Sequence, residues 1–527
     1  MRTIPINGNK GYGSAGASVT KRALKGFKAQ SGSPREDIDL NNYTLRQRGR
    51  LMYMSSPIAT SAVKTSRTNA VGLGLKLNPR PDMDFLGLDA DQAAEWVRTV
   101  KREFSLWADK KDSCDATGIN NFCGLQQLLL SSWLMSGDVF VLVQSRKPTP
   151  TCPYTLRLRA IEADRVATPV ENGAALFTNI TTGKNAKNGN TIYDGVEIDK
   201  EGMAVAFWIR NTYPLEATTE QTRFERVETR GEKTGLPNII QIMNAERPDQ
   251  YRGVTFLAPV IEKILQINRY TEAEITAAII ESFLTGFVIT NSDGSEMPYN
   301  EVGAGYPEQE TSYDPNEYEL GAGTINVMNP GEDIKFSDPK RPGSGFTGFV
   351  EAIATQIGAG LEIPKEILLK AFTASYSASR GALLEAWKSF NMYRTWFVDD
   401  FCNPVYELWL NEAVATGRIS APGYFEDPAI RAAWLKCEWI GPSQGMLDPT
   451  KEIQAEAMAC QHGFSTHADS ALRLNGSDYD SNIEQLAREA DKVREYMGTP
   501  ENTANVSSIK KKENDEEEEG DKDAEDQ

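Results

Sequence analysis

The chain has 527 residues, 40% of them apolar and 25% charged, which suffices for several domains with buried cores. Its formal net charge of −18 argues against broad non-specific DNA binding, because a phosphate-neutralising surface needs an excess of Lys and Arg. The six cysteines form no C-x-x-C pair, no apolar run is long enough to span a bilayer, and the N-terminus has no apolar signal region. A cytoplasmic, non-membrane protein with reduced thiols is therefore expected.

Residues 1–35 carry seven Lys/Arg and no acid among many Gly and Ser, so residues 1–36 read as a disordered basic arm. A helical pattern runs from about Leu40 to Ala70, with Leu45, Leu51, Met52, Ile58, Ala62 and Val63 as expected buried positions and Pro57 as the break. Val71–Leu77 reads as a short strand. A helix over about 89–110 follows, with Asp89 as N-cap and Ala93, Trp96, Val97, Val100, Phe104 and Trp107 on one face. A second helix covers about 120–136. Val139–Gln144 and Tyr154–Ile161 read as strands, and Thr191–Ile198 with Ala204–Arg210 as a hairpin around Asp199–Gly202.

Pro259–Thr285 is continuously helical in pattern, and Phe287–Thr290 is a strand. Residues 291–324 then hold eight Asp/Glu and no Lys/Arg, an insert long enough to suggest a functional loop. Thr324–Met328 and Asp333–Phe336 read as a second hairpin around Asn329–Glu332. A helix at about 346–360, stopped by Gly358 and Gly360, leads through a 361–376 connector to a long helix from about 377 to 416, bent at Pro404. Helices are expected over 426–440 and 449–497. Residues 513–527 hold ten Asp/Glu against one Lys, so 500–527 reads as a disordered acidic tail.

Chemistry-bearing motifs are sparse. There is no phosphate-binding G-x-x-x-x-G-K-[ST], no G-x-S-x-G and no H-E-x-x-H. His462 and His467 are five apart, the wrong spacing for one metal on a regular helix, and are read as surface groups. Asp478, Asp480, Asn482 and Glu489 imitate a calcium loop, but Ile483 stands where its sharp turn needs Gly, so a helix cap is the simpler reading. No catalytic residue, metal or cofactor is expected.

One ordered set of segments is specific. Ser136-Gly-Asp-Val-Phe140, Gly195–Asp199, Arg247-Pro-Asp-Gln-Tyr-Arg-Gly253, Asn329-Pro-Gly-Glu332, Gly358-Ala-Gly-Leu-Glu-Ile-Pro-Lys-Glu-Ile367, Tyr376-Ser-Ala-Ser-Arg380, Glu385–Trp387, Cys437–Gly441 and Gly463–Thr466 stand in the order seen in portal proteins of tailed bacteriophages. The chain resembles their lambda-like family over about residues 40–470, through the order of the segments and not through any single motif. The ends and the 291–324 insert depart from the pattern.

The resemblance implies an α+β, mainly helical portal fold of wing, stem, clip and crown, assembled into a dodecameric ring at one capsid vertex. Double-stranded DNA would enter through its channel during packaging and leave at ejection, without sequence recognition. The implied layout is wing 37–257, stem helices 258–285 and 346–360, clip 286–345, tunnel loop 361–376, long wing helix 377–404 and crown 405–499. Lys365 and Lys370 are the candidate DNA-proximal residues, and Glu308, Glu310, Glu317 and Glu319 the candidate docking residues of the clip. Implied partners are the terminase large subunit, a head-completion or adaptor protein, the major capsid protein and the scaffold. The implied location is the virion, after assembly in the host bacterial cytoplasm. A scaffold or head-tail adaptor is the alternative, disfavoured because scaffolds lack such an α+β wing.

Overall fold

The computed structural model describes residues 16–18, 21–169, 182–216, 221–282, 286–289, 325–328, 345–372, 375–445 and 448–497. In chain order the elements are α1 (Leu40–Ser55), α2 (Pro57–Ala70), β1 (Lys76–Pro79), α3 (Met83–Leu86), α4 (Ala90–Ala108), α5 (Lys111–Cys114) and α6 (Phe122–Ser136). Next come β2 (Asp138–Ser145), β3 (Leu156–Glu162), β4 (Thr182–Lys184), β5 (Thr191–Tyr193), β6 (Val196–Ile198), β7 (Ala204–Arg210), β8 (Phe224–Glu228) and β9 (Ile239–Met243). After these stand α7 (Ile261–Ser282), β10 (Gly286–Ile289), β11 (Ile325–Met328), α8 (Phe346–Gly360), α9 (Lys365–Leu368), α10 (Tyr376–Phe397) and α11 (Asn403–Ala415). The chain closes with α12 (Pro428–Leu435), β12 (Cys437–Ile440), α13 (Pro449–Gln461), α14 (His467–Asn475) and α15 (Tyr479–Met497).

The sequence reading holds where one element carries its own signal. Asp89 caps α4 in a full capping box with Gln92, and Ala93, Trp96, Val100, Phe104 and Trp107 are buried along one face. Pro57 opens α2 at its first turn, as the missing N–H allows. A π-helical turn, Val398–Cys402, stands just before Pro404 and separates α10 from α11.

Other expectations are corrected. Residues 71–75 form turn rather than strand, and β1 begins only at Lys76. The expected hairpin around Asp199–Gly202 is present between β6 and β7, but the run 191–198 is itself a further hairpin: Asp194 and Gly195 both have positive φ (43° and 85°) and turn β5 into β6. Residues 437–440 are strand, not helix, because β12 pairs antiparallel with the distant β1. β11 pairs parallel with β10, and the 333–336 strand of its expected hairpin lies outside the described residues. So do residues 1–15, most of residues 286–345 and the acidic tail. On α1, Leu51 is exposed, whereas the polar Asn42 and Arg46 are buried beside Gly49 and Met52.

The described residues form two compact units. The first is drawn from Met1–Met54, Ser132–Val143 and Ala160–Ile261. It contains the antiparallel sheet β4-β5-β6-β7-β8, and β9 pairs antiparallel with β2. Its apolar core gathers Phe140, Ile161, Val166, Val196, Phe207, Ile209 and Ile239. Glu197 lies fully buried at 0% exposure and accepts from Asn185, Asn188, Asn190, Trp208 and Arg226. Burial alone would raise its pKa, but Arg226 and the asparagine amides outweigh that and hold it at about 2.

A second buried charge group lies in the same unit. Arg252 donates Nε to Asp138 Oδ2 (2.6 Å) and Nη2 to Asp138 Oδ1 (3.1 Å), a bidentate pair with both side chains at 0% exposure. Its remaining N–H groups reach the Val166 and Ala163 carbonyls (2.9 Å each), the Asp194 carbonyl, and Asp194 Oδ2 (3.0 Å). Arg46 meets the same Asp194 carboxylate at 2.8 Å. Asp138 is depressed despite its burial, because Arg252 and Arg46 favour the anion. Asp39, which burial and Asp194 push up to about 6, is the third carboxylate against two guanidiniums. A glycine pair permits the backbone crossing here: a Cβ on Gly253 would lie 1.8 Å from the Gly137 carbonyl oxygen.

The second unit is drawn from Ser55–Ser131, Gln144–Arg159 and Glu262–Gln527. Its core is aromatic. Phe104 meets Trp107, Phe122, Tyr406, Trp409 and Trp439 with ring centroids 5.0–6.5 Å apart, mostly edge to face. The Glu103 carboxylate accepts from Tyr154 (2.8 Å) and from Arg418 (2.7 and 3.1 Å). Arg394 of α10 donates to the Ala70, Asn69 and Pro442 carbonyls, fastening α10 to the end of α2 and the segment after β12. The six cysteines are free thiols. Burial pushes the Cys437 thiol up to about 12 and that of Cys402 well above its ordinary value, so neither is a ready nucleophile.

Candidate functional site

The segment between α8 and α10 lies wholly in the second unit, and sequence and backbone together fix its course. α8 buries Ala354, Ile357 and Gly358. Gly358 does not stop the helix, which runs on to Gly360; it lets the returning chain pack closely. A Cβ there would lie 2.3 Å from the Ile363 carbonyl oxygen, and the Ile363 N–H donates back to the Gly358 carbonyl at 2.9 Å. Glu362 takes a positive φ of 54° to make this return, and its carboxylate accepts from Ser389 of α10 at 3.0 Å.

Pro364 then opens the short helix α9, whose Ile367 and Leu368 are buried. Ser61 of α2 donates to the Leu368 carbonyl at 2.7 Å. Lys370 ends α9 with φ 54°, the left-handed conformation that usually takes Gly, while the Ala371 N–H donates to the Glu366 carbonyl. Phe372 is 56% exposed, and Ser375 caps α10 by accepting from the Ala378 N–H. The expected 361–376 loop is thus half structured: it holds a helical turn docked on α2.

The two candidate cations have different settings. Lys365 lies 3.2 Å from the Glu351 carboxylate of α8. Lys370 is exposed. A cleft of about 520 Å³ lies beside Lys365, lined by Gly358, Glu362, Lys365, Glu385, Lys388 and Ser389 among others. Two lysines face two glutamates in that lining, so it presents little net charge. The sequence reading missed the left-handed Glu362 and Lys370 and the Ser61 contact; nothing local signals any of them. Glu308, Glu310, Glu317 and Glu319 lie outside the described residues.

The other chemistry raised by the sequence takes ordinary forms. His462 is exposed at the end of α13, and His467 stacks on Tyr479 at 5.4 Å. Asp478 pairs with Lys101 at 2.9 Å and accepts from Ser481, while Asp480 lies in the first turn of α15. Among the described residues no group of three or more His, Cys, Asp or Glu side chains is placed to hold a metal ion. None of their helices is long and apolar enough to cross a membrane.

The chain is 22% identical over 477 residues to portal protein B of Escherichia phage lambda, covering 86% of each chain. It is 23% identical over 449 residues to the portal protein of Escherichia phage N15, covering 82% of this chain and 81% of that one. Among solved structures, a chain from the neck of a native GTA particle computed with C12 symmetry aligns at 14% identity and a TM-score of 0.39, over 83% of this chain and 94% of that one. The family described as phage portal protein, lambda family, matches residues 20–394, well over half of the sequence, and the chain belongs to that family.

Proposed function

We infer that this protein is the portal of a tailed phage: a closed ring of identical copies at one capsid vertex, through which double-stranded DNA enters during packaging and leaves at ejection. The observation that carries the reading is the family match across residues 20–394. The family is a structural one, so the activity is conduction and docking rather than catalysis. In this reading the ring is dodecameric and is assembled in the bacterial cytoplasm. Its partners are the terminase large subunit, then a head-completion or adaptor protein, with the capsid protein and scaffold around it.

Physical chemistry supports the roles of the segments. A conduit must not grip its cargo, and each phosphate neutralised by Lys or Arg adds affinity through counterion release. An ion pair such as Lys365–Glu351 lowers that affinity, and an exposed Lys370 offers at most a passing contact. The connector carrying both is assigned to the tunnel, and helices α7 and α8 to the stem. Residues 286–345 form the clip, where Glu308, Glu310, Glu317 and Glu319 meet the partners through polar, exchangeable contacts.

Two variants separate conduction from docking. Neutralising the four glutamates together leaves assembly intact and weakens terminase or adaptor binding in a pull-down. Replacing the 361–376 connector with a short Gly/Ser link leaves that binding intact and abolishes DNA packaging. Loss of packaging without loss of binding in the Glu variant, or loss of binding alone in the connector variant, would contradict the assignment.

A further inference from the structure

Among the described residues, helix α15 is held at one end only. Lys101 and Arg98 of α4 reach Asp478 and Glu484 at 2.9 and 3.5 Å, and Tyr479 stacks on His467. Beyond that anchor every residue from Ile483 to Tyr496 is exposed. Ile483, Leu486 and Val493 stand 46%, 58% and 51% exposed, although a helix of a folded unit normally turns such residues inward.

The exposed apolar residues follow a coiled-coil pattern. Tyr479, Ile483, Leu486, Ala490 and Val493 are separated by four, three, four and three residues, the alternating spacing of a heptad seam. The stripe is narrow, the width of a coiled-coil seam rather than of a face turned into a broad core. Glu489 and Arg494 flank it on opposite sides, five residues apart, the offset at which two parallel copies place opposite charges together. In the single chain Arg494 rests 3.5 Å from Asp491, an exposed pair that is readily exchanged. The helix carries five acids (Asp480, Glu484, Glu489, Asp491, Glu495) against three bases (Arg488, Lys492, Arg494), the wrong balance for a nucleic-acid surface.

We propose that α15 is a self-association element, packing in parallel against α15 of a neighbouring copy of this chain along the Ile483–Leu486–Ala490–Val493 seam. The proposal rests on the ring reading above. Rotation about a ring axis keeps the axial direction of every copy's helix the same, so neighbours meet in the parallel sense that the Glu489–Arg494 offset favours.

The full chain carrying Glu489→Cys and Arg494→Cys tests this. Within one helix, positions five apart are too distant to bridge, so a disulfide between them joins two copies. Mild oxidation is expected to give a ladder of covalent multimers on a non-reducing gel, absent from the unmodified chain. Adding Leu486→Asp, at an exposed position, is expected to remove the ladder while mass photometry still counts intact rings. Rings without a ladder, or a ladder that persists with Leu486→Asp, would overturn the α15 contact and leave the ring reading standing. Monomers alone would overturn both.

Discussion

Replacing Arg252 with Met is expected to destabilise the first unit by about 3–5 kcal/mol, the cost of leaving a buried charge without its partner. The side chains of Arg252 and Asp138 are both at 0% exposure, and the guanidinium also serves the Val166 and Ala163 carbonyls. Methionine fills much of the space and supplies none of those donors. Arg252→Lys keeps the charge but not the bidentate fork, so an intermediate loss is expected. Adding Asp138→Leu to Arg252→Met should recover part of the loss, because the orphaned anion is then gone. Urea unfolding followed by a probe in this unit measures all three; a cost below about 1 kcal/mol for Arg252→Met would show that the pair is not the anchor described.

A pH dependence of opposite sign to ordinary acid denaturation is expected from Asp39 of the same group. Its pKa is raised to about 6 in the folded protein, by burial first and by Asp194 next, against the pull of Arg252 and Arg46. A carboxyl with a raised folded pKa contributes most at low pH. That contribution fades as pH rises from its unfolded value, near 4, through about 6. The full effect is about 3 kcal/mol. Glu197 and Asp138 are shifted the other way, so their contributions are lost only at lower pH. Asp39→Asn stays neutral throughout. The stability of Asp39→Asn relative to the parent should therefore climb between pH 4.5 and 7.5, and parallel profiles would contradict the charge count.

The sequence revealed the parts that carry their signals locally. The α4 stripe, its Asp89 cap, the bounds of α8 and the break before Pro404 follow from spacing, capping chemistry and proline geometry over a few residues. The misses share a cause of another kind. β12 was hidden in an apolar run because its partner β1 stands some 360 residues away, so no local pattern distinguishes Trp439 on a strand from Trp434 on a helix. The Asp194-Gly195 turn is an exception, because Asp-Gly between apolar residues is a local hairpin signal, which the sequence reading missed in favour of the turn at Asp199–Gly202. Arg46 and Asn42 looked like surface residues; they are buried because Asp194 and the Gly253 carbonyl, far along the chain, receive them. The connector was legible as a segment but not as a geometry. Lys365 was legible as a cation, but its pairing with Glu351 depends on how α8 and α9 pack.

Class averages of the purified full-length protein, by electron microscopy in near-physiological salt, test the central claim most directly. The account predicts closed cyclic rings of identical copies with an axial opening wide enough for a DNA duplex. A population of monomers, or of open filaments without an axial opening, would contradict it.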